Sequence, residues 1–237
     1  MADRGQSEVI GFVLVFALVV STVSLASVAG FGGLQDARDY ERSHNAEQAF
    51  AVLANGIDDV AYEGAPSRQV EMVADEAQVF VGDPVTITVA VAGGGAESVT
   101  VHPIVYQGPD GSRLVYTAGA VIRADPDGAV MIREPDLVLS EARTVLRIVQ
   151  TRNDDGANVG GATVRVRADG VDDNAVFANT TTQDVTLTVE SPRAGVWKQY
   201  FTSNDDLDCT ETADAVTCEV TSDAVHVTVS EIVVGLS

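Results

Sequence analysis

Val85-Thr86-Ile87-Thr88-Val89-Ala90-Val91 places a large apolar side chain at every second position, and a period of two marks a half-buried β-strand. The alternation recurs in Asp184-Val185-Thr186-Leu187-Thr188-Val189-Glu190 and in Thr163-Val164-Arg165-Val166-Arg167. Between such runs Gly82-Asp83-Pro84, Gly93-Gly94-Gly95, Gly108-Pro109-Asp110-Gly111 and Asp125-Pro126-Asp127-Gly128 read as turns. No segment between the runs is long enough for a crossover helix. The pattern therefore predicts an antiparallel β-sandwich or curved sheet.

Toward the C-terminus, Ser191-Pro192 has the form of an N-cap followed by proline at the first helical position. A short helix through about Phe201 is expected to bury Val196, Trp197, Tyr200 and Phe201 against the sheet. Two short strands around Thr210 to Asp214 and the alternating Val225-His226-Val227-Thr228-Val229 would complete it. Cys209 and Cys218 are the only cysteines. Two cysteines with no histidine nearby do not make a structural zinc site, so the expectation is a disulfide closing the hairpin. The alternative is a pair of buried free thiols.

Toward the N-terminus, Leu34, Ala37, Tyr40, Ala49, Phe50, Leu53, Ile57 and Val60 recur at mostly helical spacing, and Gly64-Ala65-Pro66-Ser67 ends the pattern. Further upstream, Arg4-Gly5-Gln6-Ser7-Glu8 runs into an uncharged apolar block from Val9 to Ala29, with Gly30, Gly32 and Gly33 after it. At about 1.5 Å per residue a helix of that length crosses a hydrocarbon core of roughly 30 Å. Three readings compete for it. A secretory signal peptide would be cut near Ser27-Val28-Ala29, but the apolar core is long for one and Asp3 offsets Arg4. A plain signal anchor needs only the apolar length.

The third reading rests on the junction itself. Arg4-Gly5, then Gln6, with Glu8 just ahead of the apolar stretch, resembles the class III signal of archaeal type IV pilin-like proteins. The resemblance implies a cut after Gly5 by a membrane prepilin-type peptidase, Gln6 as the first mature residue, and Glu8 as the charge that pairs between subunits during assembly. Glu8 would be the third mature residue, whereas many pilins carry the acid at the fifth. Pilins also have a long N-terminal helix whose first half lies in the membrane or filament and whose second half packs on a head. More widely, Gly32-Gly33-Leu34-Gln35-Asp36-Ala37-Arg38-Asp39, Gly64-Ala65-Pro66-Ser67-Arg68, Ala129-Val130-Met131-Ile132-Arg133-Glu134-Pro135 and Ser191-Pro192-Arg193-Ala194 resemble a family of haloarchaeal single-helix membrane and surface proteins. That family carries no established activity.

The chain has 35 acidic and 14 basic residues in 237, a formal charge of −21. A field of that sign repels nucleic acid and anionic lipid heads, so neither is an expected partner. Lys198 is the sole lysine. Heavy acidity with lysine nearly absent resembles proteins working in near-saturated salt, where self-repulsion is screened. With 46% apolar residues the chain is globular, not an acidic disordered polymer.

No GxSxG, HExxH, Walker or Rossmann motif is present, and His44, His102 and His226 are isolated in sequence, so no enzyme activity and no cofactor are expected. Asn153-Asp154-Asp155-Gly156, Asp172-Asp173-Asn174 and Asp205-Asp206-Leu207-Asp208 lack the ligand spacing of an EF-hand and read as solvated surface, without a metal. Asn179-Thr180-Thr181 is the one N-glycosylation sequon.

These readings combine into an α+β chain. Residues 1–33 are leader and transmembrane helix, 34–63 an amphipathic extension, 64–190 a β-rich extracellular domain, and 191–237 a short helix with strands completing the head. The expected function is a non-enzymatic cell-surface protein, a pilin-like subunit held in the cell membrane with its C-terminal domain outside. The membrane, the peptidase and like subunits are its expected partners. The alternative is a single-pass anchored protein that never polymerises and binds an envelope partner through its head. Arg4 on one flank against Arg38 and Arg42 on the other leaves the positive-inside bias weak, so the disulfide and the acidic head set the outward orientation.

Overall fold

Residues 4–74, 76–153, 158–160, 163–203 and 207–237 are described by a computed structural model. The chain divides into two units, Met1–Asn45 and Ala46–Ser237. Helix α1 spans Arg4–Tyr62, 59 residues, and so contributes to both. It ends in a left-handed cap: Gly64 has φ +74° and the Ala65 amide donates to the Asp59 carbonyl at 3.1 Å. Glycine takes that conformation without a Cβ clash.

The strands follow in chain order: β1 Ser67–Val73, β2 Gln78–Val81, β3 Val85–Val91, β4 Gly95–Val101, β5 Ile104–Gln107, β6 Arg113–Thr117, β7 Ala120–Asp125 and β8 Gly128–Arg133. After them come β9 Leu137–Val138, β10 Thr144–Arg152, β11 Asn158–Gly160, β12 Thr163–Asn179 and β13 Gln183–Glu190. Helix α2 (Ala194–Thr202) precedes β14 Asp208–Glu211, β15 Ala215–Ser222 and β16 Val225–Leu236. Among the described residues they form three sheets, ordered β1-β12-β16-β10-β9, β11-β2-β5-β6-β7-β8 and β14-β15-β13-β3-β4.

Strand β3 is built as its alternation requires. Ile87, Val89 and Val91 are buried and lie opposite Val189, Leu187 and Val185 of β13. All strand pairs among the described residues are antiparallel except β10 with β16. Strand β16 enters between β10 and β12, and everything from β11 to β15 serves as the connection that a parallel neighbour needs.

Among the described residues the buried apolar side chains gather into two cores. Phe50, Leu53, Ala54 and Ile57 of α1 pack with Ile104, Tyr106, Leu114, Tyr116, Val164 and Ile232. On the other side, β3, β13, β15 and α2 enclose Ile87, Leu187, Trp197 and Phe201 together with Val105, Val115 and Ile122. Strands β5, β6 and β7 thus send neighbouring residues into opposite cores. Their sequences consequently read as short apolar runs and not as alternation.

Helix α2 begins later than the Ser191-Pro192 pattern predicts. Its N-cap is Arg193, with no side-chain cap bond. Ser191 instead closes a turn: its Oγ accepts from the Arg193 amide at 3.1 Å and its carbonyl from the Ala194 amide at 3.1 Å. The local bonds of a serine turn outcompete a helical start there.

Candidate functional site

Within the first unit, Val9–Val28 is a helical stretch long and apolar enough to cross a membrane by length and composition. Its large side chains are exposed, from 46% at Val20 to 74% at Val28. Twenty residues at about 1.5 Å each match a bilayer core of roughly 30 Å. An apolar surface of this extent is costly in water. Gly5, Gln6 and Glu8 lie in the first turns of α1. Their side chains fall outside the described ones.

In the head, Cys209 and Cys218 are joined by a disulfide across directly opposed positions of β14 and β15, with 4.1 Å between their Cα atoms. Cys218 and Trp197 both belong to the core beneath α2. The Trp197 ring is fully buried and stacks near Phe201, with centroids 5.9 Å apart.

Asn179 ends β12 and is exposed. His102 is half-buried and His226 exposed; the backbone of His102 pairs with Thr151, whereas His226 lies opposite Val145 and Ala178. His44 belongs to the first unit, where its ring lies parallel to Tyr40. Among the described residues no three metal-ligating side chains gather. The acidic clusters at Asp154-Asp155 and Asp205-Asp206 lie outside those residues.

Sequence reading missed a cleft of about 440 Å³ lined by Asp58, Tyr62, Glu63, Gly119, Arg133, Glu134, Pro135, Asp136 and Arg147. The last turns of α1 supply Asp58 and Tyr62, the end of β8 supplies Arg133, and β10 supplies Arg147. Arg133 pairs with Asp58 and donates to Asn55 Oδ1 at 2.7 Å. Arg147 donates to Asp136 Oδ2 at 2.7 Å and stacks on Tyr62, 3.5 Å from the ring centroid. Burial raises the Asp58 carboxyl above its usual range, and the adjacent Arg133 charge only partly offsets it. Burial, reinforced by the Asp58 charge, also pushes the Tyr62 phenol up.

The connection from β8 to β9 is held from the other core as well. The Tyr200 hydroxyl donates toward the carbonyls of Leu137 at 2.8 Å and Pro135 at 3.2 Å, and burial pushes its phenol up to about 12. The ion pairs Arg133–Asp58 and Arg147–Asp136 line the cleft, and the first of them fastens the end of α1 to the sheet. Its sequence signal was the run Arg133-Glu134-Pro135-Asp136, charges packed around a proline directly after an apolar strand.

An N-terminal apolar helix followed by a mostly antiparallel β-rich domain with a short C-terminal helix defines an α+β protein compatible with membrane anchoring. The chain belongs to a family of unknown function, DUF7289, whose family model matches residues 4–235. No curated protein and no solved structure matches it.

Proposed function

We infer that this is a non-enzymatic cell-surface protein, a type IV pilin-like subunit anchored by its N-terminal helix, with the acidic β-rich head outside the cell. One observation carries the reading: a single helical element has an exposed apolar first part, Val9–Val28, and a last part whose Phe50, Leu53 and Ile57 are built into the head's core. That division of labour suits a subunit whose first part packs against membrane or like helices. Among those apolar residues, Gly11, Ala17, Ser21, Ser24 and Ala26 let neighbouring helices approach closely. Added Cβ atoms would meet nothing at Gly11. The head's disulfide supports an oxidising exterior.

The test is the N-terminal residue of the mature protein from its native host, read by mass spectrometry, together with its partition between sheared filaments and membranes. A start at Gln6 and recovery in sheared filaments are expected. A start at Met1 or Ala2 with exclusively detergent-soluble recovery would leave a non-polymerising anchor, and a start at Gly30 a secreted head.

A further inference from the structure

We propose that Asn179 is a site of N-linked glycosylation, and that the sugar guards an open sheet edge; the proposal rests on the outward orientation of the head argued above. The sequon Asn179-Thr180-Thr181 is exposed at all three positions. It forms a compact turn in which Asn179 Oδ1 accepts from the Thr181 amide at 3.1 Å and from the Thr181 hydroxyl at 2.9 Å. Gln183 Nε2 in turn donates to Thr181 Oγ1 at 3.1 Å, which holds the hydroxyl in place to donate to the asparagine. The oxygen end of the side-chain amide is thereby engaged. The residue is exposed, and the nitrogen end of its side chain is where a glycan attaches.

The location supplies a purpose. Strand β12 pairs with β16 along nearly its whole length, but β1 covers its other edge only from Thr163 to Asp169. Beyond Gly170, whose amide donates to the Pro66 carbonyl at 3.1 Å, that edge has no strand neighbour among the described residues, and Val171 on it is 56% exposed. Such an edge is a template for pairing with another chain unless charge or bulk covers it. Asp172 supplies charge, and a hydrated glycan on Asn179, at the far end of the same edge, supplies bulk.

The reaction needs a lipid-phosphate-linked oligosaccharide as donor and a membrane-bound transferase. A bond forms between Asn179 Nδ2 and the anomeric carbon, and the bond from that carbon to the phosphate oxygen breaks. The lipid phosphate leaves with the electron pair, and one Nδ2 proton passes to a base of the transferase.

The experiment is mass spectrometry of the tryptic peptide 168–193 from full-length protein made in its native host, alongside protease accessibility of the head in intact cells. The expected result is a sugar increment on Asn179 that disappears completely in Asn179→Gln and Thr181→Val and persists in Thr181→Ser. Retention of the disulfide in each variant would show that the head still folds. An unmodified peptide from an accessible head would overturn the glycosylation while leaving the orientation standing. A protected head with an unmodified peptide would overturn both, and an increment surviving Asn179→Gln would place the sugar on a threonine and also overturn the proposal.

Discussion

Arg147 and Tyr62 hold each other twice: the guanidinium lies 3.5 Å from the centre of the tyrosine ring, and the tyrosine hydroxyl donates to the backbone carbonyl of Arg147 at 3.1 Å. The residues are 85 positions apart, and they tie the last turn of α1 to β10. Tyr62→Phe keeps the ring and loses the hydrogen bond, so a loss of about 0.5–1.5 kcal/mol is expected. Arg147→Lys keeps the charge but gives up the planar face and the geometry toward Asp136, and a comparable loss is expected. Denaturant unfolding of the two variants checks this, and unchanged midpoints in both would show that the clamp contributes nothing.

Asp58 predicts a pH dependence of a definite sign. Its folded-state carboxyl titrates above the unfolded value of 3.8, because burial outweighs the pull of Arg133. Asp136, Asp59 and Arg147 also face it, the first two raising and the last lowering its proton affinity. The folded state therefore holds its proton longer, and the stability this lends is fully present below 3.8 and lost as pH rises through the folded value. An asparagine in its place would not titrate. The stability of Asp58→Asn relative to the native protein should consequently improve as pH rises through that window, and a difference that stays flat with pH would refute the assignment.

Trp197 has no exposed surface and lies among Phe201, Val196 and the β13–β15 face. Replacing it by alanine should cost about 3–5 kcal/mol, from lost burial and the cavity left behind. Membrane recovery of Trp197→Ala should match that of the native chain while its head melts earlier or becomes sensitive to protease. An unaltered melting point would mean that the ring is not a packing centre.

The Cys209–Cys218 bond closes a short hairpin, with a sequence separation of 9. Constraining so short a loop in the unfolded chain is worth about 2–3 kcal/mol. Unfolding with and without reductant should differ by that amount. A double Cys→Ala variant should match the reduced protein to within the small packing change at buried Cys218.

The β-rich character of the head could be read from Val85–Val91 and Asp184–Glu190 because a strand with one buried face writes its period into its own residues. The same holds for the turns. Gly119 shows where this reading becomes incomplete: with φ +90°, next to Ala118 at φ +50°, it makes the tight turn between β6 and β7, yet Thr117-Ala118-Gly119-Ala120 carries no strong turn signature. Strands β5 to β7 were harder still, since burial on both faces erases alternation.

By itself, then, the sequence determined what depends on neighbours along the chain: an apolar stretch of membrane length, Val9 to Ala29, and alternating strands behind it. Tertiary structure alone decided what depends on distant partners. It set β16 parallel to β10, split the head into two cores, and brought Asp58, Arg133, Asp136 and Arg147 into one cleft. The physical reason is that periodicity records which side of an element is buried, whereas the identity of the covering element is settled by competition among all apolar faces at once. An arginine's carboxylate partner is chosen in the same way, by the backbones that packing brings together.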